Sequence, residues 1–294
     1  MVNLRDVRLR MRAIQQTLQV TRAMNLISTS KLRRGRRVLE DTEPYFTRIH
    51  KSMFDILSGV KNVHSLFFRK ALAENIPRSA VIVITSDKGL AGGYNSNVIR
   101  TANELCDSLR KPMLILIGNI GNRYYSQSPR IVLENFTHHS QLPTMENASE
   151  ITSYVISQYL WGMFDDIYVV YTHMFSSIKL VPTVNQILPL STEKIQAELS
   201  GMGDVKRVQL HFEFIPSAEE VFDALIPQYI KGIIYGCLVE AYVSEQSARM
   251  AAMDEASKSA DEMLTELRVL YNRARQAGIT QEITEVAGGF AVLT

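Results

Sequence analysis

The chain has 294 residues, of which 46% are hydrophobic and 21% are charged, and its formal net charge is +2. This composition is typical of a soluble globular protein with one or two domains. The two cysteines, Cys106 and Cys237, fit neither a disulfide framework nor a metal site, and they favour a cytosolic protein. The longest apolar runs, at 81–84 and 113–118, are too short to cross a bilayer, and the first residues predict no secretory signal.

The amino-terminal segment predicts one long helix. No proline and one glycine, Gly35, occur between Val2 and Glu43. Apolar residues recur at steps of three and four, which places them in one narrow stripe suited to a partner helix. The members of this stripe are Leu4, Val7, Met11, Ile14 and Leu18. Pro44 is expected to kink or fray the helix, because its ring clashes with the preceding turn, and a helical pattern resumes at 47–60.

The middle of the chain alternates strand and helix patterns. A turn at 75–79 marks the predicted domain boundary, and polar residues at 191–210 predict an irregular segment. The alternation predicts an α/β layer fold, here a Rossmann-like domain with a mainly parallel sheet. The predicted strands are 80–87, 112–119, 130–136, 166–174 and 179–190, and the predicted helices are 96–110, 121–128 and 146–164.

The carboxy-terminal segment predicts a second long helix. A pattern resembling a capping box at Ser217–Glu220 opens it, and Pro227 marks either a kink or its true start. Neither proline nor glycine occurs from Cys237 to Ala277, and an apolar stripe with the same spacing runs along the helix. The members of this second stripe are Met253, Ala260, Leu264, Leu267, Tyr271 and Ala274.

The charges of the two terminal segments are complementary. Residues 1–40 hold ten Lys and Arg against two Asp and Glu, whereas residues 240–294 hold nine Asp and Glu against five Lys and Arg. We therefore predict one long antiparallel coiled coil within a single chain. Long helices in a bundle, or two separate dimer zippers, also fit the periodicity. The predicted division is an N-terminal helix over 1–75, an α/β domain over 76–215, and a C-terminal helix over 216–294 that pairs with 1–60.

The loop at 84–98, ITSDKGLAGGYNSNV, is the most conspicuous candidate site. Glycines between a strand and a helix can cradle a phosphate, but Tyr94 stands where a nucleotide-binding loop needs a lysine after its last glycine. A tight turn with close backbone packing fits the loop better. Adjacent His138 and His139 diverge on a strand without other ligands, so we expect no metal. No nucleophile with a base and an orienting partner is evident, and we expect no catalytic residue and no cofactor.

Three motifs resemble those of the gamma subunit of F-type ATP synthases. They are TLQVTRAM at 17–24 with KLR at 31–33, the loop SDKGLAGGYNSN at 86–97, and ARMAAM at 248–253 with NRARQAGITQEITEV at 272–286. Their order and spacing match the family from end to end. Ala91 replaces the usual cysteine of the loop, and Ser28–Ser30 stands where the family favours alanines. The cysteine pair of the plastid redox switch is absent, so thiol regulation is not expected.

The resemblance implies a central rotor shaft that transmits torque and couples ion translocation to ATP synthesis or hydrolysis. In the family, the terminal helices lie inside a hexamer of alpha and beta subunits. The α/β domain forms the foot of the shaft, where it contacts the epsilon subunit and the membrane ring of c subunits. Contacts with the hexamer are implied for Met24, Arg249, Gln276, Thr280 and Glu282, and the foot loop comprises Asp87, Lys88, Gly89, Gly92 and Gly93.

Further expectations follow from the same resemblance. The apolar tail from Val286 to Leu293 would seat in a hydrophobic sleeve of the hexamer. The subunit would be present in a single copy, without a cofactor or a catalytic site of its own. It would be peripheral at the cytoplasmic face of a bacterial cell membrane, with an organellar inner membrane as the alternative.

The residues alone leave two other functions open. The first is an α/β nucleotide-binding enzyme with helical dimerisation arms, against which the missing phosphate-loop lysine argues. The second is a coiled-coil DNA-binding regulator that uses the basic run at 31–37, although no helix-turn-helix or basic zipper region accompanies it.

Overall fold

A computed structural model describes residues 4–59, 65–68, 78–137, 141–176, 179–190 and 217–292. Along the sequence, one very long helix precedes an α/β region and a second one follows it. The helices are α1 (Leu4–Gly59), α2 (Tyr94–Ser108), α3 (Asn119–Tyr125), α4 (Met145–Leu160) and α5 (Ala218–Val292), with one 3₁₀ turn at Leu66–Phe68. The strands are β1 (Ser79–Ile84), β2 (Pro112–Ile117), β3 (Val132–Phe136), β4 (Asp166–Met174) and β5 (Leu180–Leu188).

The five strands form one sheet in the order β3-β2-β1-β4-β5. Strands β1 to β4 run parallel, with Val81 beside Leu114 of β2 and beside Tyr168 of β4. The edge strand β5 is antiparallel to β4 and places Val184 opposite Val170. The predicted α/β fold with a mainly parallel sheet is confirmed.

The centre of the sheet is apolar on both faces. All six residues of β1 are buried, as expected for a central parallel strand covered on both sides. Helices α2 and α3 close one face, in a core cluster formed by Val81, Val83, Leu114, Leu116 and Val170 with Val98, Ile99, Ala102, Cys106 and Tyr125. Because side chains alternate along a strand, Tyr171 points to the opposite face, where Cys237 and Glu240 of α5 lie beside it.

Two prolines lie within the long helices. Helix α1 continues through Pro44 to Gly59, so the predicted fraying at this proline is wrong. A proline removes one backbone hydrogen bond and crowds the preceding turn, but tertiary packing can offset both. Here Phe46, two residues on, packs against Tyr235 of α5, with the ring centroids 5.8 Å apart and the ring planes tilted by 42°. Pro227 likewise lies inside α5, which begins at Ala218 and therefore not at this proline.

The start of α5 has the predicted cap. The Ser217 hydroxyl accepts a hydrogen bond from the Glu220 backbone N–H at 3.1 Å, which satisfies one of the free donors at the helix terminus. Within the described segments, no helix combines the length and the apolarity that are required to cross a bilayer.

The chain consists of two compact units. The helix-pair unit contains Met1–Thr29 and Arg249–Thr294, and the sheet unit contains Ser30–Ala248. The predicted domain boundaries, after residues 75 and 215, fall outside the described residues, as does the whole of the predicted irregular segment at 191–210.

Candidate functional site in the paired helices and the loop after the first strand

Within the helix-pair unit, polar contacts show that α1 and α5 run antiparallel. The Arg8 guanidinium donates to the Tyr271 hydroxyl at 2.6 Å, and the Ser257 hydroxyl donates to Thr21 at 2.8 Å. As residue numbers rise along α1, those of the partners on α5 fall. The pairing is therefore that of a helical hairpin whose intervening chain returns on itself.

An apolar seam lies between these two helices. Leu18, Ala260 and Leu264 form a buried cluster, against which Met11 and Ile14 pack. Each residue of the two predicted stripes is at least half-buried. Val7, Leu18, Met253, Ala260, Leu264 and Leu267 are buried, and Leu4, Met11, Ile14, Tyr271 and Ala274 are half-buried. The seam follows the a/d spacing of a coiled coil, in which apolar knobs from each helix fill holes on the other.

Charged contacts on the outside of the seam are weak. Arg22 and Asp261 form an ion pair at 2.6 Å, but their side chains are 61% and 52% exposed. Solvent screens such a pair, and exposed ion pairs contribute about 0–1 kcal/mol. The apolar seam therefore contributes more to the stability of the helix pair than the complementary charges of the two segments do.

The implied partner-contact residues differ in exposure. Gln276, Thr280 and Glu282 are exposed, and the Thr280 hydroxyl donates to the Gln276 carbonyl at 2.9 Å along its own helix. Met24 is half-buried, whereas Arg249 is only 6% exposed. Three of the five side chains are therefore exposed in this chain, whereas Arg249 is buried.

The foot loop is held by side chains from its own two ends. Asn95 accepts a hydrogen bond from the Ser86 N–H at 2.9 Å, and the Ser86 hydroxyl donates to the Lys88 carbonyl at 2.8 Å. Asp87 accepts a hydrogen bond from the Asn119 N–H at 3.1 Å, which ties the loop to the start of α3. The second carboxylate oxygen of Asp87, Oδ2, is buried without a hydrogen-bond partner among the described residues.

The backbone of this loop turns tightly. Leu90 has φ of 64° and Gly92 has φ of 55°, so two residues lie in the left-handed region. This conformation suits glycine and is strained for leucine. Ala91 between them is 2% exposed, while Lys88, Gly89 and Gly93 are exposed. The residue that replaces the usual cysteine is therefore buried.

Sequence reasoning missed a polar contact between β4 and α5 in the sheet unit. His173 Nδ1 lies 2.5 Å from Glu240 Oε2, and the Tyr171 side chain lies close to both Glu240 and Cys237. Burial, followed by the charges of Cys237 and Glu240, raises the pKa of Tyr171, so its hydroxyl keeps its proton at neutral pH. No local sequence motif predicts the contact between His173 and Glu240, because 67 positions separate the two residues. The adjacent His138 and His139 lie outside the described residues.

Comparison with known proteins gives the family. A family model described as ATP synthase matches residues 3–293. A protein of Ruminiclostridium cellulolyticum named ATP synthase gamma chain is 43% identical over 292 residues, which cover 99% of each chain. The chain belongs to the family of ATP synthase gamma chains. Another gamma chain, from Acetivibrio thermocellus, is 38% identical over 294 residues and the full length of both chains.

Solved structures share the fold of this gamma-chain family member. A chain of the Euglena gracilis mitochondrial ATP synthase, from a structure of OSCP, F1 and c-ring, has a TM-score of 0.69 at 16% identity, covering 99% of this chain and 94% of that one. A chain from the central stalk and c-ring of the Tetrahymena thermophila enzyme has a TM-score of 0.61 at 23% identity, covering 81% and 99%. In this chain the first gamma-chain motif lies on α1, the second runs from the loop after β1 into the first turn of α2, and the third lies on α5.

Proposed function

We propose that this chain is the central-stalk rotor subunit of an F-type ATP synthase, present in one copy. It transmits torque between the ion-driven c-ring and the catalytic alpha/beta hexamer, and so couples ion translocation to ATP synthesis or hydrolysis. Family membership supports this role. The structural observation that carries it is the antiparallel helix pair, which exposes apolar side chains along its outer surface.

The exposed apolar side chains lie on both helices of the helix-pair unit. Leu26 of α1 is 72% exposed and Ile27 is 55% exposed, and Ile279 and Ile283, one turn apart on α5, are 46% and 63% exposed. Repeated apolar exposure of this kind marks a surface that other polypeptides cover. A surrounding hexamer of alpha and beta subunits is the partner proposed here, and the epsilon subunit and the c-ring are the partners proposed for the foot.

The geometry of the helix pair suits a rotor. Two helices packed along an apolar seam resist bending and twisting more than a single helix or a loop does. The seam mixes Met, Ala, Leu and Tyr, so the pair has no rotational symmetry and offers each beta subunit a different face as it turns. Exposed contacts that are individually weak allow rotation without a deep energetic trap.

Copurification tests this function directly. The tagged chain is expressed with alpha, beta and epsilon subunits, and we expect it to recover the nucleotide-binding hexamer with one copy of itself. Recovery of the chain alone, or as a homodimer, would contradict the proposal. The alternative function, a nucleotide-binding enzyme, is not favoured. Binding of nucleotide by the isolated chain would support that alternative.

We propose that Met24 and Arg249 contribute to coupling through the surrounding hexamer. Met24→Lys places a new charge beside the beta-subunit lever loops, and Arg249→Ala removes a cation from the region implied to contact the hexamer. Both variants should lower ion pumping per ATP hydrolysed in reconstituted complexes, with a smaller effect on folding. Arg268→Ala is the matched control, because Arg268 is an exposed arginine on the same helix to which the resemblance assigns no contact. Wild-type coupling in both test variants would remove the assignment.

The apolar tail is proposed to seat in the hydrophobic sleeve of the hexamer. Helix α5 extends to Val292, although the side chains from Glu285 onward lie outside the described residues. Deletion from Val286 onward should weaken assembly or torque and leave the sheet unit folded. Unfolding of the sheet unit in this truncation would contradict the layout.

We further propose that the chain has no catalytic site of its own and that it sits at the cytoplasmic face of a bacterial cell membrane as a peripheral subunit. Tyr94 supports the first point, because it stands where a phosphate-binding loop needs a lysine after its last glycine. Membrane fractionation tests the second: the chain should sediment with membranes and be released by washing at low ionic strength. Retention after such washing together with detergent extraction as a free chain would contradict it.

A further inference from the structure

Within the sheet unit, the part of α5 at 238–243 is mostly apolar and buried. Residues 241–243 are buried, as are Leu238 and Val239. Apolar burial is favourable but non-directional, so by itself it does not fix the rotation of a helix about its own axis. A helix that receives torque from the sheet needs contacts that do fix it.

Directional contacts join this segment to the sheet. Tyr94 of α2 donates to the Ala241 carbonyl at 3.1 Å, and Ser244 donates to the Thr172 carbonyl at 2.9 Å. Glu240 brings a carboxylate to β4, where it hydrogen-bonds to His173 and lies close to Tyr171. We call Glu240, Tyr171 and His173 the Glu240 clasp.

The geometry of the clasp is specific. Tyr171 and His173 are two positions apart on β4, so both side chains point to the same face of the sheet. The Phe175 ring stands edge-on against the His173 ring at a centroid distance of 4.4 Å and limits its rotation. The His173 and Glu240 side chains are 33% and 26% exposed, so solvent screens their contact only in part. A small rotation of α5 would separate the carboxylate from both partners.

We propose that Glu240 is a positioning residue that prevents α5 from rotating about its own axis relative to β4. Torque applied to the sheet unit is then transmitted to the helix without a loss of angle. This inference rests on the proposed rotor function. It makes the Glu240 clasp the link that sets the torsional stiffness of the stalk at the sheet unit. Hydrogen bonds that involve a charged group are about twice as strong as neutral ones, which makes Glu240 the strongest of the directional contacts.

The test is a single-molecule rotation measurement on the assembled complex, with the hexamer fixed to a surface and a marker on the foot. Torsional stiffness is read from the angular fluctuation of the marker during the pauses for ATP. Glu240→Gln keeps the shape of the side chain and removes its charge. We expect the angular variance to rise by up to about twofold, the limit in which this contact alone sets the stiffness. His173→Gln should give a similar increase.

Two further variants separate positioning from a general loss of packing. The exchange of both residues, Glu240→His with His173→Glu, restores an imidazole–carboxylate contact between α5 and β4 and should return the variance toward the wild-type value. Asp254→Asn breaks the ion pair of Lys258 and Asp254, 2.8 Å apart on α5, without removing a link to another element, and should leave the stiffness unchanged.

Unchanged stiffness in both single variants, or a double exchange that is no stiffer than the single variants, would overturn the proposal. If a single variant does not assemble, the other single variant and the double exchange still decide it. Failure of the wild-type complex to rotate at all would instead count against the rotor function.

Discussion

Gly232 and Gly236 allow a sharp test of how closely α1 and α5 approach each other within the sheet unit. Both glycines lie in the interior of α5, one turn apart. A Cβ atom at Gly232 would lie 2.5 Å from Cδ1 and 2.7 Å from Cε1 of Phe46, whereas a Cβ at Gly236 would meet nothing within 4 Å. Replacement of either glycine by alanine therefore makes the same change in the same helix, but only Gly232→Ala introduces a clash.

Two effects of known size compete at these positions. Alanine favours a helix interior over glycine by about 1 kcal/mol, and this gain is common to both variants. Overpacking of a close contact costs about 1–3 kcal/mol, and it applies to Gly232→Ala alone. Phe46 has little freedom to yield, because its ring also contacts Tyr45 and Tyr235 at centroid distances of 5.2 and 5.8 Å. We expect Gly236→Ala to stabilise the chain by about 1 kcal/mol and Gly232→Ala to be about 1–3 kcal/mol less stable than Gly236→Ala.

Urea denaturation of the full chain, followed by far-ultraviolet circular dichroism, measures both variants. The Phe46→Leu background provides a double-mutant cycle, in which the gap between the two alanine variants should shrink as the ring is removed. Equal midpoints for the two variants in the wild-type background would refute the close approach. A gap that persists unchanged without the ring would show that the clash with Phe46 is not its cause.

Three further perturbations have expected outcomes. Leu264→Ala in the seam should destabilise the helix-pair unit by about 2–5 kcal/mol, because Leu264 is 3% exposed, whereas Leu270→Ala, at 38% exposure on the same helix, should shift the urea midpoint little. Burial and the neighbouring Asp165 raise the pKa of Asp166. The stabilising contribution of Asp166 is present at low pH, where its carboxyl is protonated, and is lost as the pH rises through the pKa of the folded state. Asp166→Asn should therefore raise the melting temperature at pH 7 and lose this advantage near pH 3, about one unit below the ordinary aspartate value. An equal shift of the melting temperature at both pH values would contradict the assignment. Cys106 is 2% exposed and burial raises the pKa of its thiol, so iodoacetamide should modify it only after denaturation, and rapid modification of the native chain would contradict its burial.

Much of the fold was predictable from local patterns. The steps of three and four from Leu4 to Leu18, and again from Met253 to Ala274, predict two long helices with one apolar stripe each. Runs of β-branched residues between turn signals predict the strands, and β4 has the predicted bounds, 166–174. These features are periodic in the sequence itself, so they do not require knowledge of distant contacts.

Other features could not be predicted, because they depend on residues far apart in the chain. Pro44 signals the end of a helix by local rules, yet α1 continues through it beside the contacts of Phe46 with α5. The clasp between His173 and Glu240 carries no spacing that a motif could describe. The burial of Arg249, an otherwise ordinary surface residue by type, also depends on packing.

The sequence by itself determined that the chain has two long amphipathic helices at its ends, an α/β region between them, and the motifs of its family. Periodicity suffices for these, since the burial of one face of a helix or strand follows from the spacing of its apolar residues. Only the tertiary structure decided the register in which Arg8 meets Tyr271, the continuation of α1 past Pro44, and the meeting of Glu240 with β4. Each of these depends on which distant residues pack together, and the free energy of that packing overrides the local preference of the chain.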